Sequence, residues 1–164
     1  MPIERVGRDT ASGRNLFVAE AEAPSDLATQ IGQVGSEFVC LVAWDSRTAG
    51  VAEISELACR LLEAGAVYVC TWGPDCERVH DIVDEERDAR NTAETAVVMT
   101  TWHSGESLAD AIWFALNSAV PDDAYLDGCR ATVGISIGAP NWAAEMRSAF
   151  ADPGRFTAGH PEAE

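Results

Sequence analysis

The sequence predicts an α/β protein: a single-domain, three-layer sandwich around a mostly parallel sheet of four or five strands, Rossmann- or flavodoxin-like in general plan. Three observations carry that expectation. Apolar runs of strand length alternate with segments whose apolar residues recur at helical spacing. Three of the runs, FVCLVAW, AVYVCTW and AVVMTTW, close on a tryptophan (Trp44, Trp72 and Trp102), at intervals of 28 and 30 residues. That interval is the length of one strand plus a crossover helix. Polar or turn-forming residues follow each indole: Asp45-Ser46-Arg47, Gly73-Pro74-Asp75 and His103-Ser104-Gly105.

The elements follow in order. Residues 1–14 are charged and read as disordered, 15–152 as the α/β domain, and 153–164 as a disordered acidic tail. Asn15 to Glu22 reads as an edge strand, and Ser25 or Asp26 caps a helix carrying Leu27, Ile31 and Val34. Phe38 to Trp44 is almost continuously apolar, as in strands buried on both faces. Val51 to Ala64 is an amphipathic helix stopped by Gly65. Val67 to Trp72 is the next strand, and Gly73-Pro74-Asp75 turns into a helix with Pro at its first position. Asn91 to Glu94 is a loop and Ala96 to Trp102 the third core strand. Ser107 with Asp110 forms a capping-box variant ahead of the stripe Leu108, Ala111, Ile112, Ala115 and Leu116. Ala131 to Ile137 is the fourth core strand, and Trp142 to Ala151 the last helix.

The segments FVCLVAWD, VYVCTWGPDCERVHD, VVMTTWH, ALNSAVPDDAYLD and ISIG resemble an uncharacterised bacterial domain family, over about residues 38 to 138. WGPDCERVHD and AVPDDAYLD are the distinctive pieces. The resemblance implies a small bacterial cytosolic protein. The family has no assigned activity, so no catalytic residue is carried over.

Composition narrows the function. The formal net charge is −16, from 27 acidic and 11 basic side chains. Such a surface repels phosphate backbones and argues against nucleic-acid binding, while favouring solubility or a basic partner. Every basic residue is Arg. The absence of Lys excludes a Walker-type phosphate loop, a Schiff base and a kinase-type Lys. No apolar run approaches a membrane span, and the N-terminus lacks an apolar signal region, so a cytoplasmic location is expected. The five Cys include no C-x-x-C pair and read as buried free thiols.

Ligands of parallel sheets bind beyond the carboxyl ends of the strands. Trp44, Trp72 and Trp102 are therefore expected to line one rim, with Asp75, Arg47, Ser104 and Asn141 as further ligand-binding candidates. Large indoles suit stacking on a planar ligand or cation–π contact with a cationic one. His103, just ahead of a helix N-terminus, is the first candidate for acid/base work, with Asp45 beside it. Cys76 and His80 lie at i and i+4 and, with His103, would make three metal ligands, but spacing alone does not specify a metal. We read Cys76 as core-facing and His80 as held by Asp81 or Asp84, with no metal or cofactor implied. Gly134 to Gly138 matches G-x-S-x-G, yet Ala139-Pro140 intervenes before the helix where a nucleophile elbow has its tight turn. Two glycines flanking a small Ser suit the close approach of a helix or ligand.

The preferred reading is an acidic binding or accessory protein for a small planar or cationic ligand or a basic protein partner. The alternatives are a small enzyme using His103 with Asp45 or Cys76, and a structural subunit whose Trp rim is a homo-oligomer interface, for instance of a homodimer.

Overall fold

A computed structural model describes residues 3–27, 30–90 and 96–161. Its sheet has six strands: β1 (Glu4–Asp9), β2 (Arg14–Ala21), β3 (Glu37–Trp44), β4 (Ala66–Trp72), β5 (Met99–His103) and β6 (Cys129–Ile137). Their spatial order is β1-β2-β6-β3-β4-β5. Only the β1–β2 pair is antiparallel; the remaining pairings are parallel. The helices are α1 (Val51–Ala64), α2 (Cys76–Arg90), α3 (Leu108–Asn117), α4 (Pro140–Ala151) and α5 (Pro153–Gly159).

Strand alternation sends successive side chains to opposite faces. Phe38, Cys40, Val42 and Trp44 of β3 pack with Ile54, Leu57 and Leu61 of α1 and Val79, Ile82 and Val83 of α2. Val39, Leu41 and Ala43 pack with Leu108, Ile112 and Ala115 of α3 and Met146 and Phe150 of α4. Both faces of the sheet are covered, which is why its central strands read as unbroken apolar runs.

Local chemistry sets the boundaries. Gly65 takes a left-handed conformation (φ 111°), and its N–H satisfies the Leu61 and Leu62 carbonyls that end α1. Ser107 caps α3 by accepting the Asp110 N–H, while the Asp110 carboxylate accepts from the Ser107 N–H. Burial raises the Asp110 pKa, but these hydrogen bonds and His160 outweigh it and hold the group below its ordinary value.

Several expectations need correction. The segment 1–14, expected to be disordered, contains β1, so β2 is not an edge strand. Gly7 lets β1 lie against α4: a Cβ there would stand 2.2 Å from the Phe150 carbonyl oxygen. The expected tail from 153 contains α5, capped by the Asp152 side chain, which accepts the Arg155 N–H. The expected helix after Ser25 is two short 3-10 turns, Pro24–Leu27 and Ile31–Val34. The third core strand starts at Met99 rather than Ala96. Pro74 sits in a turn before α2, not in its first position. The expected loop at 91–94 lies outside the described residues.

Among the described residues no helix is long and apolar enough to cross a membrane. The five cysteines are free. Burial holds the Cys40 thiol well above its ordinary pKa, and pushes Cys70 up to about 12. Thiolate is the reactive form, so both should resist Ellman's reagent in the native protein and react only on unfolding. Half-buried Cys59 should react first. Rapid native labelling of Cys40 or Cys70, read by mass spectrometry, would contradict this packing.

Candidate functional site

Register decides where the tryptophans point. Ala43 stands beside Trp72, and Trp72 beside His103. Side chains abreast in a parallel sheet share a face. Trp72 and His103 therefore point to the α3 and α4 side. Trp44 lies one residue beyond Ala43, and Trp102 one before His103, so both point to the other side. The three indoles do not form one rim. Trp44 is 7% exposed and belongs to the core under α1 and α2. Trp102 is 45% exposed and tilts over His80 of α2 at 4.6 Å. Trp72 meets Trp142 of α4 edge-on at 5.0 Å. Equal spacing in sequence could not reveal this, because one residue of register reverses the face.

What the fold does bring together is a cleft of about 300 Å³ between residues 72–75 and 103–106. It lies beyond the carboxyl ends of β4 and β5. Trp72, Asp75, His103 and Ser104, four of the expected site residues, line it, with Glu106. The Trp72 indole N–H donates to the Glu106 carbonyl oxygen at 2.9 Å, tying the two loops across the cleft. Gly73 (φ 114°) lies so close to β3 that a Cβ would stand 2.4 Å from the Trp44 carbonyl oxygen. Asp75 is also left-handed (φ 66°), an uncommon conformation for a residue with a side chain. Its carboxylate accepts from Arg78 Nε at 2.8 Å. Arg78 also donates to the Ser46 and Ala49 carbonyls at 2.6 and 2.8 Å, which clamps the β3–α1 loop to α2.

His103 is 8% exposed, and its ring lies 4.5 Å from Phe114. Nδ1 is 2.5 Å from Glu106 Oε1, and Nε2 is 2.8 Å from the Thr101 hydroxyl. The order carboxylate, imidazole, hydroxyl can hold or relay a proton, but neither ring nitrogen is left open to the cleft. The sequence pattern contains the signal for this set. Residues 101 and 103 share a strand face, and 106 lies within one turn of the loop.

The other expected partners stand elsewhere. Asp45 and Arg47 form a bidentate pair at 2.9 and 2.7 Å, which lowers the Asp45 pKa mainly through the guanidinium hydrogen bonds. Neither lines the cleft. Asn141 is exposed within α4, whose N-cap is Ala139, so it does not cap that helix. Cys76 is buried, which raises its thiol pKa, and the His103 imidazole is held by Glu106 and Thr101 instead. His80 is held by Asp81 at 2.9 Å and Asp84 at 3.5 Å, on the sheet face opposite the His103 ring. The set Cys76, His80 and His103 therefore does not converge. Ser136 donates to the Ala139 carbonyl at 2.6 Å, and Gly134 receives Met146 and Phe150 of α4. That packing is the role of the G-x-S-x-G stretch. Two larger clefts lie apart, one of about 780 Å³ between α3, α4 and α5 and one of about 660 Å³ where β2 and β6 end.

A six-stranded, mostly parallel sheet with helices on both faces and a cleft at its carboxyl edge defines a mixed α/β domain. The chain belongs to the DUF7684 family, a domain of unknown function, whose model matches residues 17–153. A comparison with curated proteins found no match.

Proposed function

We propose that this chain is a binding protein that takes a small organic cation into the cleft between the β4–α2 and β5–α3 loops. The observation that carries the reading is the cleft's lining: Trp72 together with Asp75, whose carboxylate also accepts from Arg78, and Glu106, whose carboxylate also meets His103. A cation there meets an aromatic surface and two acidic groups, the combination that holds quaternary or planar cations. A doubly wound, Rossmann- or flavodoxin-like plan supports the placement, because such sheets bind ligands at their carboxyl edge. The cleft at the β2 and β6 ends has acidic residues but no aromatic ring. Binding is favoured over catalysis because both His103 nitrogens are engaged. The free buried thiols fit a reducing cytoplasm.

Calorimetric titration with choline, spermidine and agmatine tests this. At least one should bind, and Glu106→Gln should weaken it about tenfold, the scale of one charged contact. No binding by any of the three, or affinity unchanged in Glu106→Gln, contradicts the reading.

A further inference from the structure

β5 closes one end of the sheet, and among the described residues no strand pairs with its outer side. The Thr101 carbonyl accepts the Thr71 hydroxyl of the neighbouring β4 at 3.4 Å. That carbonyl lies on the β4 side, so strand alternation turns the amides of Thr100 and Trp102 outward. Natural edge strands are commonly blunted by charge, Pro or a bulge. This one is not: from Ala96 to Gly105 the chain carries no Asp, Glu or Arg. Instead Met99 and Trp102, 40% and 45% exposed, stand on its two faces.

One flank of this edge is acidic. Asp81, Asp84 and Asp88 recur at i, i+3 and i+7 on α2. Asp84 accepts the Thr100 hydroxyl at 2.5 Å, and Asp81 holds the His80 ring that lies against Trp102. Asp81 and Asp88 are 61% and 71% exposed. Arg87 pairs with Asp84 and Asp88 and donates to the Val98 carbonyl, and Arg90, near Ala96 and Val98, is paired with Glu63 and Glu86.

We infer that β5 is a docking edge for an extended, basic segment of a partner protein, which adds a strand beside Thr100 and Trp102. Main-chain hydrogen bonds would supply register, and alternate side chains would supply specificity. Basic side chains on the α2 flank meet Asp81, Asp88 and the Trp102 face; apolar ones on the other flank meet Met99. Charge selects this occupant over a second copy. Antiparallel pairing of two β5 strands about a two-fold axis places α2 beside its copy on the same sheet face, with like charges opposed, in chains that each carry −16.

The test is fluorescence anisotropy of two labelled peptides, one alternating Arg and Val and the other Glu and Val, titrated with the full chain. The Arg peptide should bind and the Glu peptide should not. Trp102→Ala should weaken binding about tenfold, as expected for loss of an aromatic contact with a cation. The double variant Asp81→Asn, Asp88→Asn should weaken it at low salt and reduce its salt dependence. Equal binding of both peptides, no binding of the Arg peptide, or binding indifferent to both variants overturns the proposal. So does a dimer in sedimentation that Trp102→Ala dissociates, which would make a second copy the occupant.

Discussion

Gly73→Ala is expected to destabilise the protein by about 3 kcal/mol or more, combining positive-φ strain with an overpacked contact. The residue has φ 114°, and its missing Cβ would meet the Trp44 carbonyl oxygen at 2.4 Å and the Trp44 carbonyl carbon at 3.0 Å. Both obstacles are backbone of a central strand, which cannot swing aside as a flexible side chain can. Relief requires the β4–α2 turn to lift from β3, and that turn forms one wall of the cleft. The proposed cation binding should therefore fall with stability. Gly154→Ala is the control, since nothing lies within 4 Å of its Cβ position in α5. There the helix preference of Ala should be neutral or stabilising by up to about 1 kcal/mol. Urea denaturation of the two variants measures the difference through the shift in midpoint.

Phe150→Ala is the second large effect, expected to cost about 3–5 kcal/mol by loss of apolar burial and creation of a cavity. The ring is fully buried in α4. It reaches the space that Gly134 leaves open on β6, where an added Cβ would lie 3.3 Å from the Phe150 ring and 2.8 Å from the Met146 sulfur. The backbone carbonyl of the same residue is the surface against which Gly7 of β1 lies. One position thus joins α4 to the centre and to the edge of the sheet. Equilibrium unfolding should show a lower midpoint with an unchanged slope, because the cavity alters stability and not the extent of unfolding. A loss below about 1 kcal/mol would mean that α4 does not pack on Gly134 as described.

Much of the architecture was legible because it rests on local chemistry. Gly65 ends α1, Ser107 with Asp110 starts α3, and doubly buried strands lack alternation in hydropathy. β1 was not legible: Glu4 to Asp9 is mostly charged, and its strand state comes from pairing with β2 and from Gly7 fitting against Phe150. The site was half legible. Trp72, Asp75, His103 and Ser104 do meet, because neighbouring parallel strands bring their following loops together. Trp44 and Trp102 were misplaced because the face of a strand residue depends on register, which a spacing of 28 or 30 residues does not contain. Asp45 pairs with Arg47 two residues away, a local contact that removed it from the expected pair with His103.

Amide chemical shifts locate the proposed cation site. In a titration of the isotopically labelled protein with choline, spermidine or agmatine, whichever binds, shifts are expected to concentrate at residues 72–76 and 103–107, with the Trp72 indole N–H among them. Shifts confined to Glu20, Glu22 and Gly138, or to the α3–α5 cleft around Asp152 and Arg155, would contradict it.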